Sequence, residues 1–411
     1  MRHITIMRDA RFYHSHASAC QAKNGDLLVA FREAPFQHIF AHAHPDATIA
    51  LMRSTDLGDT WNPATKATIL DPGDETNVND PSLTTLRDGT IVLTAFAGPA
   101  IWEKSKARWD AGSLVAVRGT DYYIVRGNRR ILVRRSFDDG LTWDGPYEAD
   151  TTFYGDGGGG VFGNVAELSD GRILMPMTTH STARGERIAA LICSEDKGST
   201  WGPFSEITTW KGDGDGLKGF ALPSAVAYDD EHIFAAGWHV VEHGTSVTRT
   251  LDGGETWSSI REIDTNGACM HLWRAKSGVT LMSYGYRNVP YGIRVWPSYD
   301  QGRTWEPSQA VALRSDGAMR DLGYPWTIQL SDGRFFCVYY FNVRDEDKSY
   351  YDEAKSLEIC RAWNLDPPLF TYQKAGLRFI GGTFFTEDDL GLYAGTATVE
   401  HELAEAGPTL L

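Results

Sequence analysis

Histidine, tyrosine and acidic side chains recur in this sequence at spacings that can move protons. FYHSHAS places His14 and His16 two residues apart, on one face of an extended segment. HAHPDA does the same for His42, His44 and Asp46. His180, His239 and His271 each stand near the end or start of a strand-like run, and His243 follows in WHVVEH. Imidazole titrates near neutrality, so such a set can act as acid and base, hydrogen-bond a uronate or hydroxyls, or hold a divalent metal. His14, His16, His44, His180 and His271 are the candidate metal ligands. No cofactor is required by the sequence, since HSH and HAH are too short to be specific and HExxH does not occur. Trp238, Trp273 and Trp326 lie beside the same strand ends, where an indole can stack on a sugar or fill the core.

Two repeats reveal the elements that must position these side chains. The octet S/T-x-D-x-G-x-T-W occurs five times, as Ser54–Trp61, Ser136–Trp143, Ser194–Trp201, Thr250–Trp257 and Ser298–Trp305. In each, Ser and Asp can bond their own turn, Gly supplies positive φ, and Trp can pack into a neighbouring sheet. Out of phase with the octets, a polar turn followed by an apolar strand occurs six times. NGDLLVAF, RDGTIVLTAF, SDGRILMPM, DDEHIFAAGW, KSGVTLMSYGY and SDGRFFCVYY start at Asn24, Arg87, Ser169, Asp229, Lys276 and Ser331. Each is a hairpin signal. Six copies predict an all-β fold, a six-bladed β-propeller of four-stranded blades with the octets on outer hairpins of the first five. RAWNLDPP, Arg361–Pro368, stands where a sixth octet is expected. Inner strands converge on one axis, so the histidines are expected to line one funnel. The expectation is one domain over residues 1–411, its core about 10–375 and a C-terminal extension 376–411 packed on it. The run GDGGGG is followed by a strand and no Lys-Ser/Thr, so it is expected to be a flexible rim and not a phosphate loop.

Composition narrows the partners. Acidic residues outnumber basic ones 54 to 39 for a net charge of −15, which offers nucleic acid or anionic lipid no general attraction. A local positive pocket for an acidic small substrate is compatible with that balance. No apolar run reaches the length of a membrane span. Five cysteines, with no CxxC pair, suit a reducing compartment, and no apolar leader opens the chain. A cytoplasmic location is the expectation, or a secreted one if a leader has been removed. Oligomeric state is left open.

The octets are Asp-boxes, and with six blades the chain resembles the sialidase (neuraminidase) superfamily across roughly residues 10–375. Sialidases hold a sugar carboxylate with three arginines, attack with a tyrosine activated by a glutamate, and use a loop aspartate as acid/base. The resemblance carries several of these roles onto this chain. Arg32 in VAFRE matches a family arginine, and Asp46 on the loop before the first Asp-box matches the acid/base. Asp80 in NDPSL matches a sugar-contacting aspartate, and Arg287 or Arg294 in YGYRNVPYGIRVW a further arginine. Tyr324, eight residues before Asp332, has the spacing of the nucleophile.

The departures are as specific. His16 stands at the first arginine's position, and Thr178 and His180 at the second's. Phe162, Gly163 and Asn164 fill the window of the activating glutamate. What the resemblance implies is therefore a sialidase-like, exo-acting glycoside hydrolase that removes a terminal acidic sugar yet is not an ordinary sialidase. Tyr324 is its expected nucleophile or proton donor, with Asp46, His44 or His180 as acid/base. Arg32, His16, His42, Asp80, His239, His271, Arg287, Arg294 and Trp326 are the expected carbohydrate-binding set. The alternatives are a uronate lyase, metal-assisted or not, in which His and Tyr move the protons, and a non-catalytic glycan-binding propeller.

Overall fold

Six antiparallel sheets surround one axis in the computed structural model, which describes residues 1–391 except 40, 212–219, 239–243, 264, 266 and 347. Blade 1 runs Phe12–Gln21, Leu27–Pro35, Thr48–Ser54 and Ala67–Leu70 from the axis outward. Blades 2 to 5 repeat the order, beginning at Thr76–Thr85, Gly160–Val161 with Ala166–Glu167, Ala221–Ala227 and Gly267–Arg274. Blade 6 takes Gly323–Gln329, Phe335–Phe341 and Phe379–Phe385 from the end of the chain and its outermost strand, Arg2–Met7, from the beginning. This strand exchange ties Arg2–Met7 and Phe379–Phe385 into one sheet. The propeller therefore extends beyond residues 10–375 at both ends, and 376–391 contribute a strand interior to blade 6.

All five Asp-boxes form the turn between the third and fourth strands of blades 1 to 5. In the first, Asp56 accepts from the Ser54 hydroxyl at 2.6 Å, the Thr60 amide at 2.9 Å and the Thr60 hydroxyl at 2.6 Å. These bonds occupy the carboxylate and hold it down at about 2. The buried indole of Trp201 packs with Val92 and Val133 of the preceding blade, and Trp305 with Phe234 of blade 4. Blade 6 has no such turn, because its fourth strand comes from the N-terminus. RAWNLDPP lies elsewhere, in the connection between the second and third strands of that blade. It closes helix α1 (Glu353–Trp363), which Asp352 caps by accepting from the Lys355 amide and which ends on Asn364 at φ 51°.

α1 packs on two other insertions. Ile39 of the blade-1 loop meets Cys360 and Leu365, and a Cβ at Gly119 of the blade-2 insertion would stand 2.2 Å from Ile39. The blade-2 insertion includes Tyr122–Val125, which extends the sheet, and the Tyr122 hydroxyl donates to the Ala43 carbonyl at 2.8 Å. Ile39 and Ala43 of the blade-1 loop are thereby fixed over the site face. No helix among the described residues is long and apolar enough to cross a membrane.

Candidate functional site

A shared backbone irregularity builds the centre of the propeller. The innermost strands of blades 1, 2, 4, 5 and 6 each break register once, at His16, Asp80, Leu222, Cys269 and Tyr324. Each of these residues has φ between 48° and 53°. Blade 3 interrupts its inner strand instead, with Gly163 at φ 100°. Such bulges re-aim a side chain out of strand alternation. Here they bring the side chains together: His16 sits edge-on to Tyr324 with ring centroids 4.1 Å apart, and its Nε2 lies 3.6 Å from Asp80 Oδ1. The Tyr324 hydroxyl meets the Cys269 thiol, and its ring packs with Phe162, Leu222 and Trp238. At Gly163 a Cβ would stand 2.9 Å from the Ser224 Cα, so glycine is required there and position 163 presents no carboxylate to Tyr324.

Burial splits the charge states of this cluster. His16 is held well below its ordinary value, by desolvation first and then by His42 and Arg32. Asp80 is pushed up to about 8 by desolvation, against the pull of Arg129 and Arg32. Near neutral pH the pair is thus a neutral imidazole beside a protonated carboxyl, a base and an acid with separated values. Tyr324 lies well above an ordinary phenol, again through burial.

Two arginines flank the cluster. Arg287 donates to the Leu322 carbonyl at 3.1 Å and the Tyr340 hydroxyl at 3.4 Å, with its guanidinium 6.0 Å from the Tyr324 ring centre. Arg32 is fully buried and donates to the Val78 carbonyl and to Asn77 Oδ1, both at 3.2 Å. Its Nη1 has no partner among the described residues. Above His16, the His42 ring is 5.3 Å away by centroid and its Nε2 is 3.3 Å from Asp321. Buried Asp321 also accepts from Arg378 Nε at 2.7 Å and from the Tyr13 and Tyr340 hydroxyls at 3.2 Å.

A cleft of about 950 Å³ opens beside the axis, from His42, Asn77 and Asn79 to His180, Arg187 and Trp210. The glycine run forms part of its floor and is no flexible rim. The Gly157 amide donates to the His180 carbonyl at 2.8 Å, and a Cβ at Gly158 would stand 1.9 Å from the Arg129 carbonyl oxygen.

Several expected site residues lie elsewhere. The bulge at His16 breaks the alternation, so His14 turns into the sheet, bonds Glu33 at 3.0 Å and packs on Phe31. His44 accepts the Asp46 amide at 3.0 Å through Nδ1, packs on Trp102 and Tyr122, and is lowered to about 4 by burial. Asp46 is exposed outside the cleft lining, raised by partial burial and by Asp74, Asp71 and Glu75. His271 is buried against Trp326 at 4.1 Å, accepts the Thr327 amide through Nδ1 and is lowered to about 3 by desolvation. Trp326 is itself fully buried, so no sugar reaches it. Arg294 stacks on Tyr286 at 3.6 Å, on an outer strand. His239 lies outside the described residues. The five candidate metal ligands do not converge, and among the described residues no three His, Cys, Asp or Glu side chains form a metal site.

Sequence reasoning gave no site role to Cys269, Asp321, Arg378 or Tyr340. Cys269 carried a signal: His16, Asp80, Cys269 and Tyr324 each stand nine residues before the turn glycine of their repeat, Gly25, Gly89, Gly278 and Gly333. Asp321 and Arg378 come together only through blade 6 and carried none.

A family model described as BNR repeat-like domain matches residues 108–337. A search of curated proteins finds no match. Among solved structures, a protein of unknown function from Dyadobacter fermentans superposes with a TM-score of 0.74 at 24% identity, covering 93% of this chain and 97% of that one. The NanB sialidase from Streptococcus pneumoniae gives 0.61 at 12% identity, over 94% and 70%. An α-L-arabinanase from Penicillium chrysogenum gives 0.58 at 14% identity, over 94% and 98%. At these identities the likeness is one of fold.

Proposed function

The chain belongs to the BNR repeat-like domain family, on the sialidase-type six-bladed propeller, and from that premise we propose that it is an exo-acting glycoside hydrolase of a terminal sugar bearing a carboxylate. One observation carries the reading: Arg32, a buried guanidinium close enough to depress His16, has no carboxylate partner among the described residues and an unused Nη1. A buried unpaired cation is costly, and a substrate carboxylate supplies the missing charge. Arg287 offers a second cation on the far side of Tyr324.

The chemistry follows from the charge states. Asp80, protonated near neutrality, can deliver a proton to the leaving oxygen. Tyr324 is the group assigned to attack the anomeric carbon; its hydroxyl meets the Cys269 thiol, and neutral His16, edge-on to its ring, is the base offered in place of the glutamate once substrate displaces that contact. Ordinary sialosides are poor substrates in this reading, because His16 and Thr178 stand where two carboxylate-binding arginines are expected.

A second reading, β-elimination of a uronate, is favoured by Gly163. With glycine in place of a carboxylate at position 163, the tyrosine suits return of a proton better than attack, and His16 suits removal of the proton next to the carboxylate. Incubation with uronate-terminated oligosaccharides separates the two by mass and absorbance. Hydrolysis releases a saturated sugar carrying the elements of water, whereas elimination leaves an unsaturated product that absorbs in the ultraviolet. Tight binding with neither product overturns both in favour of a binding propeller.

A further inference from the structure

We propose that the cleft over blades 2 and 3 is a second subsite, built for an anionic group on the sugar next to the one held at the axis. The inference rests on the proposed function, because it takes the axial cluster as the site of the terminal residue. Geometry gives the direction of the substrate. The blade-1 loop, the blade-2 insertion and α1 pack together into a wall, and the end of that insertion, Ile124–Arg126, becomes one side of the cleft. A chain leaving the axis past His42 and Asn79 is therefore led toward Arg126, Arg129, His180 and Arg187.

The cleft is basic in a chain with 54 acidic and 39 basic residues. Arg129 lies over the Phe96 ring at 5.4 Å, which orients its guanidinium, and the glycine run clamps its backbone. Neither Arg126 nor Arg129 is within salt-bridge distance of a carboxylate among the described residues. Arg130, which faces the neighbouring groove, is 3.7 Å from Glu148. The acid in the cleft, Asp156, accepts the Thr182 amide at 2.7 Å. Two buried polar atoms on the lining add to the case: Asn79 Oδ1 and Thr179 Oγ1, on side chains more than nine-tenths buried, have no partner among the described residues. Two guanidiniums with no carboxylate within salt-bridge distance among the described residues, beside unsatisfied hydrogen-bonding atoms, fit a sugar with a carboxylate or a sulfate ester, the two sources of one chemistry.

Calorimetric titration with galacturonate, trigalacturonate and the sulfated neutral disaccharide neocarrabiose 4-sulfate tests this. Trigalacturonate is expected to bind at least about tenfold more tightly than galacturonate. Arg126→Gln and Arg129→Gln should each lose much of that gain, and both together nearly all of it. Galacturonate binding should be unchanged in Arg126→Gln. Neocarrabiose 4-sulfate binding that is lost in the double variant assigns the site to sulfate esters as well; no binding confines it to carboxylates. Equal affinity for mono- and trigalacturonate, or a gain that survives both substitutions, overturns the subsite while leaving the axial reading intact. Failure of wild type to bind either uronate overturns both. Melting temperatures of the variants, at these exposed positions, should match wild type within a degree or so.

Discussion

Replacing Asp321 by Asn probes how the site is held together. The carboxylate is 7% exposed and serves four donors: Arg378, Tyr13, Tyr340 and His42. Asn keeps the shape and one acceptor oxygen but removes the charge that faces the fully buried Arg378 guanidinium at 2.7 Å. Breaking a buried pair on one side costs about 3–5 kcal/mol. For a chain of 411 residues the melting temperature moves by roughly 1.2 °C per kcal/mol, so the expected fall is about 4–6 °C by scanning calorimetry. Arg378→Met in the same background should recover a large part of the loss, since the pair is then replaced and not broken, with a coupling of about 2 kcal/mol or more. pH adds a signature. Burial pushes the Asp321 carboxyl up, but Arg378 and His42 outweigh it and hold it well below its ordinary value. A carboxylate depressed by folding contributes stability that is complete above its unfolded value of about 3.9 and is lost as pH falls further. The gap between wild type and variant should therefore be constant above about pH 5 and shrink below about pH 4. An Asp321→Asn protein within 1 °C of wild type, or strictly additive effects of the two substitutions, would refute the hub.

Three substitutions probe the axial cluster. Tyr324→Phe keeps the ring against His16 and should lower turnover at least about a hundredfold with an unchanged melting temperature, checked by initial rates and calorimetry. Wild-type activity should decline as pH rises through about 8, where Asp80 ionises, and Asp80→Asn should remove that limb along with most of the rate. Since Asp80 binds its proton more tightly folded than unfolded, chemical denaturation should also show wild type losing stability from about pH 4 to 8 relative to Asp80→Asn. Gly163→Glu, which restores the missing carboxylate in type, should cost about 1–3 kcal/mol in φ strain and contact with Ser224, and should not create sialidase activity.

Legibility of the site in the sequence stopped at the bulges. The Asp-boxes and turn-strand repeats are local signals, so blade number and inner-strand positions could be read directly, and counting back from Gly25 reached His16. Strand alternation then misplaced His14, because one inserted residue turns its neighbours to opposite sides. The same irregularity brings Asp80 to the axis from blade 2 and leaves His271 and Trp326, two residues past their bulges, in the core. Asp321 and Arg378 are 57 residues apart, with α1 between them, and only closure of blade 6 brings them together. Loop residues such as Asp46 were assigned by offset from a family pattern, whereas the wall of three insertions fixes that loop by contacts particular to this chain.

The central claim is that a substrate carboxylate completes the charge beside Arg32. Initial rates on matched nitrophenyl uronides and their neutral hexoside counterparts, in α and β forms, measure it most directly. The account predicts turnover of a uronide with kcat/KM at least about a hundredfold above the matching hexoside, the cost of leaving a buried charge unpaired. Equal turnover of the pair, or preference for the neutral sugar, contradicts it.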